Sequence, residues 1–269
     1  MARSPADAFL EAILQDPDDD TPRLIFADWL EEQGDSASAA RAEFIRVQCA
    51  LAGGHLPTQR RGELERRQQQ ILDEWGKEWV RPLRRLMRGW RFHRGFIDDV
   101  EVFSGKFLSY AGRLFRQTPI QHVHLARQIL ASRGQQINMA ALADSEHLRR
   151  LCSLDLSDNR LETRDVRALV VSEHLTGLTA LNLAHNRIGD GGIRVLAEAP
   201  LLGWLTELDL RHNDFGPAGV RALARALLRL ARSAEGLRLR KVNLRGNNLS
   251  TAGQRVIADS PLLRRLTRV

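Results

Sequence analysis

Cysteine is almost absent from this chain of 269 residues: Cys49 and Cys152 are its two, far apart, which gives neither a disulfide framework nor a zinc spacing. Tyrosine occurs once, and lysine only at Lys77, Lys106 and Lys241, so nearly every cation is an arginine. No run of about 18 apolar residues occurs, which excludes a membrane-spanning helix. The opening stretch, with Asp7, Glu11, Asp16 and Asp18 to Asp20, does not read as a signal peptide. A glycine-rich phosphate loop, a Ser–His–Asp order and a Cys–His cluster are missing as well. Together these absences point to a cytoplasmic protein that is not an enzyme and carries no cofactor.

What the chain does have is a pattern that returns in phase: leucine, two variable residues, leucine, one variable residue, leucine, two variable residues, asparagine. It reads Leu151-Leu154-Leu156-Asn159, Leu178-Leu181-Leu183-Asn186, Leu205-Leu208-Leu210-Asn213 and Leu239-Val242-Leu244-Asn247, at spacings of 27, 27 and 34 residues. An insertion around Ala226–Arg238 lengthens the last spacing. The apolar residues at pattern positions 1, 4 and 6 point one way, so a short strand buries them, while those at positions 3, 5 and 7 face the opposite side. The asparagine at position 9 ends the strand and can bond backbone groups that the bend leaves unpaired. Helical stretches follow, as in Gly191–Ala199 and Ala218–Leu230. No such unit can bury its leucines alone, so units must stack, with a parallel sheet on one face and helices on the other.

LDLSDNRL (154–161), LNLAHNRI (181–188), LDLRHNDF (208–215) and VNLRGNNL (242–249) resemble leucine-rich repeats of the ribonuclease-inhibitor type. The resemblance implies an α/β solenoid with a parallel sheet on its concave face and helices on its convex face. Two further units, Ile97-Val100-Val102 and Ile120-Val123-Leu125, fit the apolar positions, but Lys106-Phe107 and Gln128 stand where the asparagine corner belongs. That makes six repeats, two of them degenerate, over residues 95–269. Leu263-Arg264-Arg265-Leu266 reads as a truncated seventh strand.

Upstream, Ser4-Pro5-Ala6-Asp7 is a capping-box start that predicts a helix over Pro5–Gln15. Thr21-Pro22 opens a second, Pro22–Gln33, with Leu24, Ile25, Trp29 and Leu30 inward and Gly34 as its stop. A third helix is predicted over about Ala37–Ala52. FLEAILQDPDDDTPRLIFADWLEEQGD (9–35) with RAEFIRVQ (41–48) resembles the short repeat-companion domain of bacterial repeat proteins, which implies pairing with repeats and no catalytic residues. Residues 1–54 thus form an all-α acidic region. Residues 55–94 read as a helical linker, broken near Gly76 and Pro82, that caps the first repeat together with Trp90 and Phe92.

Charge is uneven. The net +7 divides into −7 over residues 1–59, +6 over 60–94 and +8 over 95–269. Arginines interleaved with Trp75, Trp79 and Trp90 between Arg60 and Arg94 raise single-strand nucleic-acid binding, against a solvated helix face neutralised by the acidic bundle. Asp16 to Asp20 could suggest calcium, but Thr21 and Ala27 stand where an EF-hand loop wants glycine and glutamate; the same carboxylates suit the positive end of a helix. His122 and His124 with Asp99, Glu101 and Asp155 could hold a divalent metal or pair as acid and base.

The open sheet face reads best as a surface for another protein. Its candidate partner-binding residues are Asp99, Glu101, Phe103, His122, His124, Ser153, Asp155, Asn182, Glu207, Asp209, Arg211, Lys241, Asn243 and Arg245, running from an acidic, histidine-containing end to a basic one. Mixed charge on such a face sets partner choice and on-rate.

Overall fold

A computed structural model describes residues 4–128 and 137–267. The chain makes two compact units, Met1–Glu101 with Tyr110–Ile120 and Val102–Ser109 with Gln121–Val269. Among the described residues there are seven strands.

In the first unit, helices α1 (Pro5–Gln15), α2 (Thr21–Glu32), α3 (Ser36–Ala52) and α4 (Thr58–Val80) precede an antiparallel hairpin of β1 (Gly89–His93) and β2 (Phe96–Phe103). The α1 capping box is present: the Ser4 hydroxyl accepts from the Ala6 N–H, and the Asp7 carboxylate from the Ser4 N–H at 3.1 Å. Asp35 caps α3 by accepting from the Ser38 N–H at 2.9 Å. Ile13, Ala27, Leu30, Ala42, Ile45, Cys49 and Phe96 make the core of these helices.

Helix α2 follows the predicted orientation in part: Leu30 is buried and Trp29 packs against the core. Leu24 and Ile25 are 39% and 51% exposed, and Arg23, Ala27 and Leu30 are the buried stripe. The reason is Arg23. Its stem runs inward so that Nε reaches the Arg94 carbonyl (3.1 Å) and Nη1 the Asp19 carbonyl (3.0 Å), with the guanidinium 5.7 Å from the Phe96 ring centre. Spacing of i, i+4, i+7 then fixes the inward face at 23, 27 and 30, and 24 and 25 fall outside it.

Two other expectations are corrected here. Helix α4 runs unbroken through the buried Gly76 and stops at Val80, just before the chain meets Pro82. Residues 89–93 are a strand, not part of a helical cap: Trp90 pairs with Val100 and Arg91 with Asp99, across a two-residue turn in which Arg94 (φ 49) and Gly95 (φ 86) both take the left-handed conformation. Gly95 is required there, because a Cβ would lie 2.5 Å from Ile45 Cγ1 and 2.9 Å from Ile45 Cα.

Helix α5 (Phe107–Gln117) follows β2. In the second unit, β3 (His122–Ala126), β4 (Ser153–Asp155), β5 (Ala180–Asn182), β6 (Glu207–Asp209) and β7 (Lys241–Asn243) are parallel neighbours in register. Between and after them lie α6 (Met139–Ala143), α7 (Thr163–Val170), α8 (Gly189–Glu198), α9 (Leu201–Trp204), α10 (Pro217–Ala231) and α11 (Ser250–Asp259), with α7 against α8, α8 against α10 and α10 against α11. The twelve apolar residues at pattern positions 1, 4 and 6 of the four regular repeats are at most 4% exposed.

The predicted seventh strand is a helix. α12 (Pro261–Leu266) starts from Ser260, whose hydroxyl accepts from the Leu263 N–H at 3.3 Å, and it buries Leu263 and Leu266, one turn apart. Among the described residues, strand-like pairing here comes down to one isolated parallel bridge between Thr267 and Val242 of β7. Serine followed by proline is a helix start, and that local signal wins over the spaced leucines.

The asparagines behave as their chemistry requires. Asn186 is buried; its Nδ2 donates to the carbonyls of Leu156 (3.0 Å), Leu183 (2.9 Å) and Ala184 (3.2 Å), and its Oδ1 accepts from the N–H groups of Asn159 (3.0 Å) and Leu161 (2.9 Å). Each asparagine therefore closes its own bend and ties it to the neighbouring repeat. Asn159 does the same for the degenerate repeat before it, donating to the Leu125 carbonyl at 2.6 Å, which is how a repeat with Gln128 at its corner still joins the stack.

Candidate functional site

The open face of β3 to β7 is built from three columns of side chains. Position 3 carries His122, Ser153, Ala180, Glu207 and Lys241; position 5 carries His124, Asp155, Asn182, Asp209 and Asn243; both columns are aligned by the strand register. Position 7 adds Ala126, Ser157, Ala184, Arg211 and Arg245. A depression of about 200 Å³ lies among Ser153, Ala180, Asn182, Glu207 and their neighbours.

The columns are not equally available. At position 5 one side-chain oxygen accepts the N–H two residues on: Asp155 from Ser157 (2.8 Å), Asn182 from Ala184 (2.9 Å), Asp209 from Arg211 (3.0 Å) and Asn243 from Arg245 (3.2 Å). Acid and amide also pair sideways, Asn182 Nδ2 with Asp155 Oδ2 at 2.9 Å and Asn243 Nδ2 with Asp209 Oδ2 at 3.3 Å. Parallel strands put these groups about 4.8 Å apart, where two like charges would repel and a carboxylate and an amide attract. This column first shapes the bend after each strand. The charged residues of positions 3 and 7 are freer: Lys241 Nζ lies 3.1 Å from Glu207 Oε2 with both side chains more than half exposed, and Arg211 Nε lies 3.2 Å from Asp209 Oδ2.

A family model described as "Leucine Rich repeat" matches residues 174–197 and 204–224, the segments that hold β5, the first nine residues of α8, β6 and the first half of α10. The chain carries leucine-rich repeats. No curated protein matches. Among solved structures, a chain described as "Leiomodin-1 Actin-Binding Site 2 (ABS2)" is similar to this one, with a TM-score of 0.42 and 19% identity, covering 59% of this chain and 88% of that chain.

Of the residues singled out from the sequence, His122, His124, Ser153, Asp155, Asn182, Glu207, Asp209, Arg211, Lys241, Asn243 and Arg245 share the leucine-rich repeat face. Asp99 and Glu101 belong to the hairpin of the other unit, and arginines in and just before that hairpin engage them: Arg88 Nη1 lies 2.6 Å from Glu101 Oε1, and Arg91 Nε 3.8 Å from Asp99 Oδ2. Phe103 ends β2 and is half-buried. Among the described residues, no three His, Cys, Asp or Glu side chains form a set that could hold a metal ion.

The column at position 8 is not among the residues singled out from the sequence. His185 and His212 are both exposed, and their rings stack at 4.4 Å between centres. At the same position of the next repeat stands Gly246 (φ 69), where a Cβ would lie 2.3 Å from the His212 ring. The signal was there in LAHN and LRHN: the same residue type before the asparagine of consecutive repeats must come face to face.

In the basic segment, Trp79 is taken up by an aromatic cluster with Phe44 (5.0 Å between ring centres) and Phe92 (6.3 Å), and Arg67 by a two-pronged bond to Glu43 at 2.6 Å on both arms. Those bonds hold the Glu43 carboxyl below its usual range. The acid run is also engaged within the unit: Asp19 accepts from the Thr21 N–H at 2.8 Å, which lowers its pKa, and Asp20 lies 2.6 Å from Arg94 Nη1. Among the described residues no helix is long and apolar enough to cross a membrane.

Proposed function

We propose that the chain is a non-enzymatic recognition module, a scaffold, adaptor or inhibitor, that binds another protein through the concave sheet face of a ribonuclease-inhibitor-like solenoid. The observation that carries this reading is the division of labour across the face. The position-5 column is held by backbone and sideways hydrogen bonds, so it is rigid, while Glu207, Lys241, Arg211 and Arg245 project from it exposed. A pre-ordered platform loses little entropy on binding, and its projecting charges select the partner.

The test exchanges the exposed pair, Glu207→Lys with Lys241→Glu, and adds Arg245→Glu. The exchange keeps an internal ion pair while reversing what a partner meets. Tagged chain is used to capture proteins from its native lysate, with nuclease treatment in one arm. A protein captured in both arms by the unchanged chain and lost with the triple variant supports the reading. Capture unaffected by the variant moves the site off this face, and nucleic acid recovered instead moves it to the arginines between 60 and 94.

A further inference from the structure

The first unit holds a cation that its own fold leaves unanswered. Arg41, on α3, sits among aromatic rings: its guanidinium carbon is 4.5 Å from the Trp79 ring centre, 5.1 Å from that of Phe96 and 5.8 Å from those of Phe44 and Phe92. Nη1 is sealed from solvent and has no hydrogen-bond partner. Burial pushes the guanidinium down to about 10, with no acid offsetting it. The contrast within the unit is plain. Arg23 spends its donors on carbonyls, and Arg46 lies 2.7 Å from both Asp28 and Glu31. Ring faces attract a cation, but they do not accept the in-plane N–H bonds of a guanidinium, and a buried charge lacking a counter-charge is costly.

Arg41 also lines a cavity of about 290 Å³ together with Leu10, Phe26, Phe96, Ile97 and Thr118. That volume is near the small end of ligand sites, and the wall is largely apolar with few polar groups, the composition such sites have. We propose that this cavity binds a small monocarboxylate with an apolar body, the carboxylate on Arg41 and the body against Leu10, Phe26, Phe96 and Ile97. The fork of a guanidinium matches the two oxygens of a carboxylate. A single negative charge fits because there is one cation, because the surrounding ring faces are themselves electron-rich, and because Asp7, which also lines the cavity, already holds its charge against the Ser4 N–H. Such a carboxylate can come from a free small acid or from the C-terminus of a peptide.

Calorimetric titration of the full chain separates these. The probes are 3-phenylpropionate, its neutral amide, and N-acetyl-alanyl-phenylalanine with a free or an amidated C-terminus. Saturable one-site binding of at least one acid is expected, with each amide at least tenfold weaker. The tighter of the two acids identifies the source. Arg41→Met should abolish acid binding without lowering the thermal midpoint, and Leu10→Trp, which fills the cavity and leaves Arg41 alone, should abolish it too; the second variant decides if the first does not fold. Equal binding of acid and amide, no binding of either acid, or undiminished binding to Leu10→Trp would overturn the proposal.

Discussion

In the repeat unit the carbonyls at the end of each strand are met by an asparagine that recurs every 27 residues, or after 34 across the longer repeat. In the helical unit the carbonyls of Asp18, Asp19, Phe92 and Arg94 are met by Arg94, Arg23 and Gln48, which recur nowhere. Both arrangements answer the same demand, that buried backbone groups find partners. They differ in reach. An asparagine side chain is short and must stand at the bend it serves, so its position repeats; an arginine reaches across the fold, so its position in sequence says little about its target.

The contrast is sharpest in what each device costs to remove. Asn186→Ala takes five hydrogen bonds from a buried bend, and we expect a loss of about 4 kcal/mol, since each stranded group costs roughly 1–3 kcal/mol before relaxation. Asn213 donates to three carbonyls, but its Oδ1 has no partner. Asn213→Ala should therefore cost about 1 kcal/mol less than Asn186→Ala. Urea unfolding followed by circular dichroism reads both, and equal losses would show that the accepted N–H bonds carry no weight.

Next comes the hairpin turn of the helical unit. Gly95→Ala forces a side chain into a left-handed turn and onto the Ile45 backbone, for an expected loss of about 3 kcal/mol. Cys49 reports on the same unit, being 5% exposed with its thiol pushed up to about 12 by burial. At neutral pH the folded thiol is therefore unreactive, and the variant should speed its alkylation by iodoacetamide; an unchanged rate would show that the turn does not hold this core. Arg23→Met keeps the apolar stem and strands the Asp19 and Arg94 carbonyls, for about 2 kcal/mol. Arg23→Lys should recover little of it, because one ammonium cannot span both carbonyls. The smallest effect belongs to the sheet face: exchanging Glu207 and Lys241 should move stability by less than about 0.5 kcal/mol, as exposed pairs do, while partner capture is lost.

Legibility followed the same division. The buried leucines, the asparagine corners, the parallel order of β3 to β7 and the bounds of α1 could all be read from spacing and caps, because each is decided by residues close in sequence. On α2, Trp29 and Leu30 could be read as inward, but the exchange of Leu24 and Ile25 for Arg23 could not, because hydrophobicity favours the first two and the distant carbonyl of Arg94 helps to draw Arg23 in. The β1 strand was hidden for a related reason: its tryptophan and phenylalanine suit a helical stripe as well as a strand, and the Arg94-Gly95 turn is the feature that decides. On the sheet face, the position-5 residues were legible as a row, but their use in holding the bends was not.

The acid–amide pairing down that row also bears on how the molecule could change length. Asp155 with Asn182, and Asp209 with Asn243, make couples that each span two repeats. Loss of the Asn182 repeat would bring two carboxylates into adjacent rungs and loss of the Asp209 repeat two amides, whereas loss or duplication of a couple preserves the alternation. A pair of neighbouring repeats is thus the smallest piece that could be added here or taken away with the sideways acid–amide bonds kept.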